Sequence, residues 1–238
     1  VKEGAMSNVT TRWLGHSGFE IVSPRGKVIL IDPWFEGNPH AAGEKSSLEN
    51  GDFLLITHDH FDHSGDAFSL AQQTGALVIA IFEITVDLQQ KGLPESQILH
   101  GGNGMNIGGT VSFDGLSITM VQAHHSSTLG SPVGYVIHLE NGFTIYHAGD
   151  TGIFSEMSLI GELYDIDLAI LPIGSVFTMD GLQAAKALSL INPRFAIPMH
   201  FGTFPILDQS ADLFLEHASK IAPKVKIHVL SPGEEKKY

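Results

Sequence analysis

Residues 58–63 read His-Asp-His-Phe-Asp-His and lie within the run Thr57 to Gly65. Four metal-ligand side chains, His58, His60, Asp62 and His63, fall in six positions. They follow directly on the short apolar run Asp52-Phe-Leu-Leu-Ile-Thr57, which has the length of a buried strand. In an extended segment, residues two apart point the same way, so His58 and His60 aim at one point beyond the strand end. Asp62 and His63 lie where the chain turns into the next helix and address a neighbouring point. Three imidazoles and a carboxylate suit zinc or a similar borderline cation. The chemistry such a cation offers is activation of water and polarisation of the bond it attacks.

One loop cannot complete two metal sites, so further ligands must come from other strand ends. Three segments have the same layout, a short apolar strand followed at once by His or Asp. They are Ala123-His-His-Ser-Ser127, Tyr146-His-Ala-Gly-Asp-Thr-Gly152 and Ile197-Pro-Met-His-Phe-Gly202. His124 and His125 compete for one role, because neighbours in a strand point to opposite faces. Asp150 is either a ligand or a turn residue of Gly-Asp-Thr-Gly, and His200 either a ligand or a core histidine. Asp32, ending the run Ile31-Asp-Pro33, either caps a turn or hydrogen-bonds a ligating imidazole. Asp59 should point away from its histidine neighbours and steady the loop. His16, in Leu14-Gly-His-Ser17, either lines the site and contacts substrate or merely makes a turn. His40, His100, His138, His147, His217 and His228 are read as structural or surface residues.

The elements that would position these groups follow from the apolar pattern and the turn residues. Strands are expected at Thr11–Leu14, Phe19–Ser23, Lys27–Ile31, Asp52–Thr57 and Leu77–Ile81 in the first part of the chain. Helices are expected at Ser64–Gln73 and Ile84–Lys91. Further strands are Thr110–Phe113, Ser117–Ala123, Gly134–Leu139 and Phe143–His147, with Asp114-Gly115 and Asn141-Gly142 as hairpin turns. The second half alternates strand and helix: Leu168–Leu171, a helix Leu182–Leu190 opened by Asp180, Phe195–Pro198, a helix Gln209–Ile221, and Val225–Leu230. Two packed sheets with helices outside would bury this pattern. No linker interrupts it, so residues 1–238 are expected to form a single domain. Val1 to Met6 match no element and are expected to be disordered or extraneous to the fold.

Composition removes several classes of function. With no cysteine there can be no disulfide, thiolate metal site or cysteine nucleophile, which fits a reducing, cytoplasmic setting. A formal charge of −13 repels a phosphate backbone, so nucleic acid is disfavoured as a partner. No apolar run approaches a membrane span, and the N-terminus lacks a basic region followed by an apolar core. The expected partner is a small-molecule substrate, with homo-oligomerisation left open. The Gly-rich segment Gly101–Gly109 lacks the spacing of a phosphate-binding loop and reads as a flexible hairpin loop. No Gly-x-Ser-x-Gly elbow supports a serine hydrolase, so Ser64, Ser126 and Ser127 are read as hydrogen-bonding neighbours.

With these motifs in place, the sequence resembles the metallo-β-lactamase superfamily from about Trp13 to about Phe204. The His-x-His-x-Asp-His motif matches at residues 58–63, and the later His, Asp and His at 125, 150 and 200. More narrowly it resembles the UPF0173 metal-dependent hydrolases, near the ascorbate-6-phosphate lactonase branch. That match is carried by Leu14-Gly-His-Ser17, Ile31-Asp-Pro33, Gly37-Asn-Pro39, Gly149-Asp-Thr-Gly152, Leu171-Pro-Ile-Gly174, Phe177-Thr-Met179 and Pro198-Met-His-Phe-Gly-Thr-Phe-Pro205. The resemblance implies a four-layer αββα sandwich of the α/β (α+β) class with two divalent transition-metal ions at its edge, zinc first and manganese or iron as alternatives. It implies that His58, His60 and His125 hold one metal, Asp62, His63 and His200 the other, and that Asp150 bridges them. It selects His125 over His124, because the family ligand stands immediately before Ser. Asp62, Asp150 and His16 are assigned to catalysis. A water deprotonated between the metals would attack a small ester, lactone or phosphate-containing substrate. Alternatives are a metal-dependent phosphodiesterase or nuclease, a flavodiiron-like reductase and a non-catalytic metal-binding protein. His60 and the chain length argue against the reductase, and the complete ligand set against the non-catalytic reading.

Overall fold

A computed structural model describes residues 8–238, so the expectation for Val1 to Met6 lies outside the described residues. The first sheet is built by β1 (Thr10–Gly15), β2 (Gly18–Val22), β3 (Val28–Ile31), β4 (Phe53–Leu55) and β5 (Leu77–Ile79). Between them and after come α1 (Phe61–Ser64), α2 (Ala67–Thr74) and α3 (Phe82–Gln90). The second sheet is built by β6 (Thr110–Phe113), β7 (Leu116–Gln122), β8 (Val133–His138), β9 (Thr144–His147), β10 (Leu168–Pro172), β11 (Phe195–Met199) and β12 (Lys226–Ile227). Interleaved with it are α4 (Met157–Tyr164), α5 (Gly181–Ile191) and α6 (Asp212–Ile221), and β13 (Glu235–Lys237) closes the chain. The strand orders are β13-β1-β2-β3-β4-β5 and β12-β11-β10-β9-β8-β7-β6.

The two-residue period of the strands sorts side chains into two cores. Leu168 and Ile170 of β10 enter the larger core with the first sheet, together with Ile145, Ile197 and Met199. Their neighbours Ala169, Leu171, Tyr146 and Ala196 face the other way and pack with α4, α5 and α6. Small residues line this second core where α5 contributes Ala184, Ala185 and Ala187, so helix and sheet approach closely. The larger core also takes Ala67, Leu70 and Ala71 of α2 and Ile84 and Leu88 of α3. Helices therefore flank both sheets, as the αββα expectation requires. Tyr135 of β8 ties the sheets together: its hydroxyl donates to the Ile56 carbonyl at 2.8 Å, with the Ile79 carbonyl at 3.0 Å.

Strand direction decides where the site can be. β3, β4 and β5 are parallel, and β1 runs with them because two antiparallel pairings separate it from β3. By the same reasoning β7 runs with β9, β10 and β11. All the segments singled out above leave the carboxyl ends of these co-directional strands, where ligands bind in open α/β sheets.

Several expected elements come out differently. The helix expected over Ser64–Gln73 is two helices broken at Gly65 and Asp66. The Asp66 carboxylate is used instead to accept from the backbone N–H groups of Phe35 and Glu36 and from Lys45. The last helix starts at Asp212, and the strand expected over Val225–Leu230 narrows to Lys226–Ile227. The segment Gly101–Gly109 is not a hairpin loop. It packs on α3, where Thr85 and Gln89 donate to the Gly102 carbonyl, and Met105 bridges to Ile81. Asp180 caps α5 as expected, accepting from the Gln183 N–H at 2.8 Å.

Candidate metal centre

The chain leaves β4 at Leu55, and His60 stands in extended conformation at the N-cap of α1. His58 Nε2 lies 2.9 Å from His60 Nδ1, which lies 3.3 Å from His125 Nε2. Ligand atoms on a tetrahedral zinc with bonds of about 2.05 Å sit roughly 3.3 Å apart. The two neighbouring pairs are near that spacing, and all three nitrogens lie within 4.8 Å of one another, close enough for one cation. One turn further, Asp62 and His63 join His200 and His16, their ligand atoms all within 4.8 Å of one another. Asp150, leaving the turn after β9, lies between the groups. Its Oδ2 is 2.9 Å from His200 Nε2, 3.3 Å from His63 Nε2 and 3.6 Å from His125 Nε2.

The hydrogen-bond network fixes which nitrogens face inward. Asp32 accepts from the Thr57 N–H at 2.8 Å, from the Thr57 hydroxyl, and from His63 Nδ1 at 2.7 Å. Having given its only hydrogen to Asp32, the Thr57 hydroxyl must accept from His58 Nδ1, 3.0 Å away. Both histidines thus carry a proton on Nδ1 and turn Nε2 to the site. Burial, with His63 nearby, lowers His58 to about 3, so it is neutral and able to ligate. Burial alone would lower His63 too. The carboxylates of Asp150 and Asp32 on either side outweigh it and hold His63 well above the usual histidine value. Asp150 is the mirror case: burial would raise it, and His200 and His63 hold it well below the carboxylate range. In the protein alone, His63 and Asp150 form a buried ion pair that a cation would replace. His63 Nε2 has the Asp150 carboxylate at 3.3 Å, whereas Asp150 Oδ1 is buried without a hydrogen-bond partner. Orphaned polar atoms are rare and costly in a folded interior, and Asp150 Oδ1 is of ligand type. The donor set and its unmet valences fit a metal.

The expected residues do not all behave as the sequence suggests. His125 turns to the centre, whereas His124 is exposed and stacks on Phe154 at 4.6 Å. Neither is in a strand, since β7 ends at Gln122. Asp32 is the imidazole partner rather than a turn cap. Asp59 accepts from Ser127 Oγ and from the N–H groups of Thr128 and Leu129, steadying the loop that carries His125. His16, expected to contact substrate, is fully buried behind Asp62. Its backbone φ of 54° directs the ring inward, 4.1 Å from the His200 ring. Because an ionised Asp62 can only accept, His16 Nε2 donates to it at 3.0 Å, and Nδ1 accepts from Thr203 at 2.9 Å. Burial keeps this ring at about 4 and therefore neutral. His147, read as structural, is buried and bonds to the Ser17 carbonyl and the Gly149 N–H, shaping the turn before Asp150.

Sequence reasoning missed the aromatic residues. The centre lies in an open cavity of about 500 Å³ lined by Phe61, Phe177 and Phe204 besides His60, Asp62, His125, Ser126, Asp150 and His200. Trp34 supports this wall, 5.6 Å from the Phe61 ring and 5.8 Å from that of Phe204. Phe61 stands between two ligand residues, which was the one available signal. Gly174 is required by close approach, because a β-carbon there would overlap the His200 carbonyl.

Comparison with known proteins shows the family and the fold. Residues 27–201 match the model of the family described as beta-lactamase superfamily domain. A UPF0173 metal-dependent hydrolase of Nitratidesulfovibrio vulgaris is 51% identical over 222 residues, covering 93% of this chain and 92% of the relative. Igni18, a novel metallo hydrolase from Ignicoccus hospitalis, superposes with a TM-score of 0.88 at 40% identity, over 97% of this chain and 98% of that one. The metallo-beta-lactamase fold protein YhfI from Bacillus subtilis shares the fold, with a TM-score of 0.74 at 14% identity over 97% and 99% of the two chains.

Proposed function

Since the chain belongs to the β-lactamase superfamily and, within it, to the UPF0173 metal-dependent hydrolases, we propose that it cleaves a small ester, lactone or phosphate-containing substrate at a dinuclear centre, with zinc the first choice of metal. The observation that carries this reading is Asp150, whose Oδ2 lies within 3.6 Å of imidazoles from both ligand groups. His58, His60 and His125 would hold one ion, and Asp62, His63 and His200 the other, with the Asp150 carboxylate shared. When bound, such ions activate water near neutral pH and polarise the bond under attack. The protein's own part is positional. Asp32 holds the His63 proton on Nδ1 and, through Thr57, the His58 proton on Nδ1, which turns both Nε2 atoms toward the centre. His16 fixes the Asp62 carboxylate from behind, and Phe61, Phe177 and Phe204 wall the cavity over it.

Elemental analysis of the purified protein tests the metal count; close to two transition-metal ions per chain are expected, and a stable, active, metal-free protein would overturn the reading. His60→Ala should abolish hydrolysis and lower the metal content with the circular dichroism spectrum kept. Wild-type activity in that variant would show that the first site is wrongly assigned. A panel of lactones, phosphodiesters, thioesters and β-lactams then identifies the bond.

A further inference from the structure

The cavity over the candidate metal centre has a chemical bias that its ligands do not explain. Apart from the ligand groups, its lining among the described residues is Phe61, Phe177, Phe204 and Ser126, with no lysine or arginine. Lys45, Arg12 and Arg194 are engaged elsewhere, with Asp66, Glu20 and Asp167. Phe61 and Phe177 are 64% and 52% exposed, and Val176, beside Phe177, and Ile206, two residues beyond Phe204, are exposed to similar degrees. Large apolar side chains gathered at the mouth of a cavity mark a surface waiting for an apolar partner. Phe61 and Phe204 are also held in place, their rings 6.3 Å apart with Trp34 behind both.

We propose that the substrate is an uncharged carboxylic ester or lactone whose substituent, away from the reacting bond, is apolar and packs between Phe177 and the Phe61–Phe204 wall. This rests on the hydrolytic reading above and narrows it. A phosphate remote from the scissile bond would have to leave water for a cavity whose described lining offers it one hydroxyl and no lysine or arginine, on a chain of net charge −13. The reaction balances without further reagents. The oxygen of water bonds to the acyl carbon, the acyl C–O bond breaks, and one proton of water ends on the alcohol oxygen and the other on the carboxylic acid. In a lactone the two products stay joined as a hydroxy acid.

Three γ-lactones test this on the metal-loaded full chain: γ-butyrolactone, γ-nonalactone and a γ-lactone carrying a phosphomethyl group at the same carbon. Burial of each methylene is worth about fourfold, so kcat/KM for γ-nonalactone should exceed that for γ-butyrolactone by at least tenfold, and the phosphorylated lactone should be the poorest. Phe177→Ala should remove most of the preference of γ-nonalactone over γ-butyrolactone; Phe177→Leu, which keeps an apolar side chain there, should restore part of it. Turnover in which the phosphorylated lactone equals or exceeds γ-nonalactone, or a preference that Phe177→Ala leaves intact, overturns the apolar-substituent proposal alone. Absence of turnover for all three, with metal bound, overturns the acyl-bond assignment and the proposal with it.

Discussion

The sharpest test of the centre is a residue that touches no metal position. Asp32 is fully buried and accepts three hydrogen bonds, from the Thr57 N–H, the Thr57 hydroxyl and His63 Nδ1. Asparagine has nearly the same shape but only one acceptor oxygen. If that oxygen keeps the Thr57 N–H, the amide nitrogen faces His63 and the Thr57 hydroxyl. His63 must then accept at Nδ1 and carry its proton on Nε2, which removes Nε2 as a ligand. The Thr57 hydroxyl, now accepting from the amide, no longer enforces the His58 tautomer. Loss of such a partner weakens metal binding by about 10–100-fold, roughly 1.4–2.7 kcal/mol. The mismatched buried group costs a further ~1–3 kcal/mol of stability, or roughly 2–12 °C in Tm for a chain of this size. Competition titrations against a chromophoric chelator would measure the first quantity and thermal melts the second. Metal affinity in Asp32→Asn within twofold of wild type would refute the tautomer argument, even if the variant melted earlier.

Other consequences can be checked in parallel. Gly174→Ala should push His200 out of place, because its new methyl meets backbone rather than a flexible side chain; a loss of about one metal ion per chain and ~1–3 kcal/mol of stability are expected, and full metal content would contradict this. Chelation should lower Tm, since ligand at about 1,000 times its Kd contributes ~4.1 kcal/mol, roughly 8–16 °C here; an unchanged melt would mean the centre is not coupled to folding. Asp66 is held below the usual carboxylate value: burial opposes this, and Lys45 with the Phe35 and Glu36 N–H groups outweighs it. A depressed folded pKa stabilises fully above the unfolded value near 3.8 and loses that contribution as pH falls through the folded value. The Tm gap between wild type and Asp66→Asn should therefore narrow as pH falls from about 5 to about 3; a constant gap would show that the charge is irrelevant.

The sequence made the strands legible because most are buried on both faces and read as short apolar runs closed by turn residues. The pairs Asp114-Gly115 and Asn141-Gly142 lie at hairpin turns as their chemistry requires. Two elements were invisible for opposite reasons. α4 spans only eight residues with Gly161 inside it, where a β-carbon would overlap the Ile191 backbone; the glycine that weakens helix propensity permits the helix contact. β13 reads Glu-Lys-Lys and has no intrinsic strand signal, yet pairs with β1 because it lies at the sheet edge. At the site, residue type and position beyond a strand were enough to nominate the histidines and carboxylates. Which of them meet was not readable, since His16 and Thr203 are 187 residues apart and touch only after both sheets close.

The arrangement also explains why the side chains around the centre occupy unfavourable backbone positions. His16, Asp32 and His200 have φ values of 54°, 43° and 58°, in the left-handed region that costs a non-glycine residue about 1–2 kcal/mol. Each is the first residue beyond a strand of the common direction, β1, β3 or β11. A strand that simply ran on would carry its next side chain out along its own axis, away from its neighbours. One left-handed residue turns the side chain sideways across the sheet edge, toward the point the other strand ends address. The His200 N–H donates to the His16 carbonyl at 3.0 Å, so two of the three strained turns brace each other across the two sheets. Strain at these positions is thus the means by which strands that never pair bring His200, and the supporting groups His16 and Asp32, to one centre. It is stable because the cores beneath, not the turns, hold the strands in register.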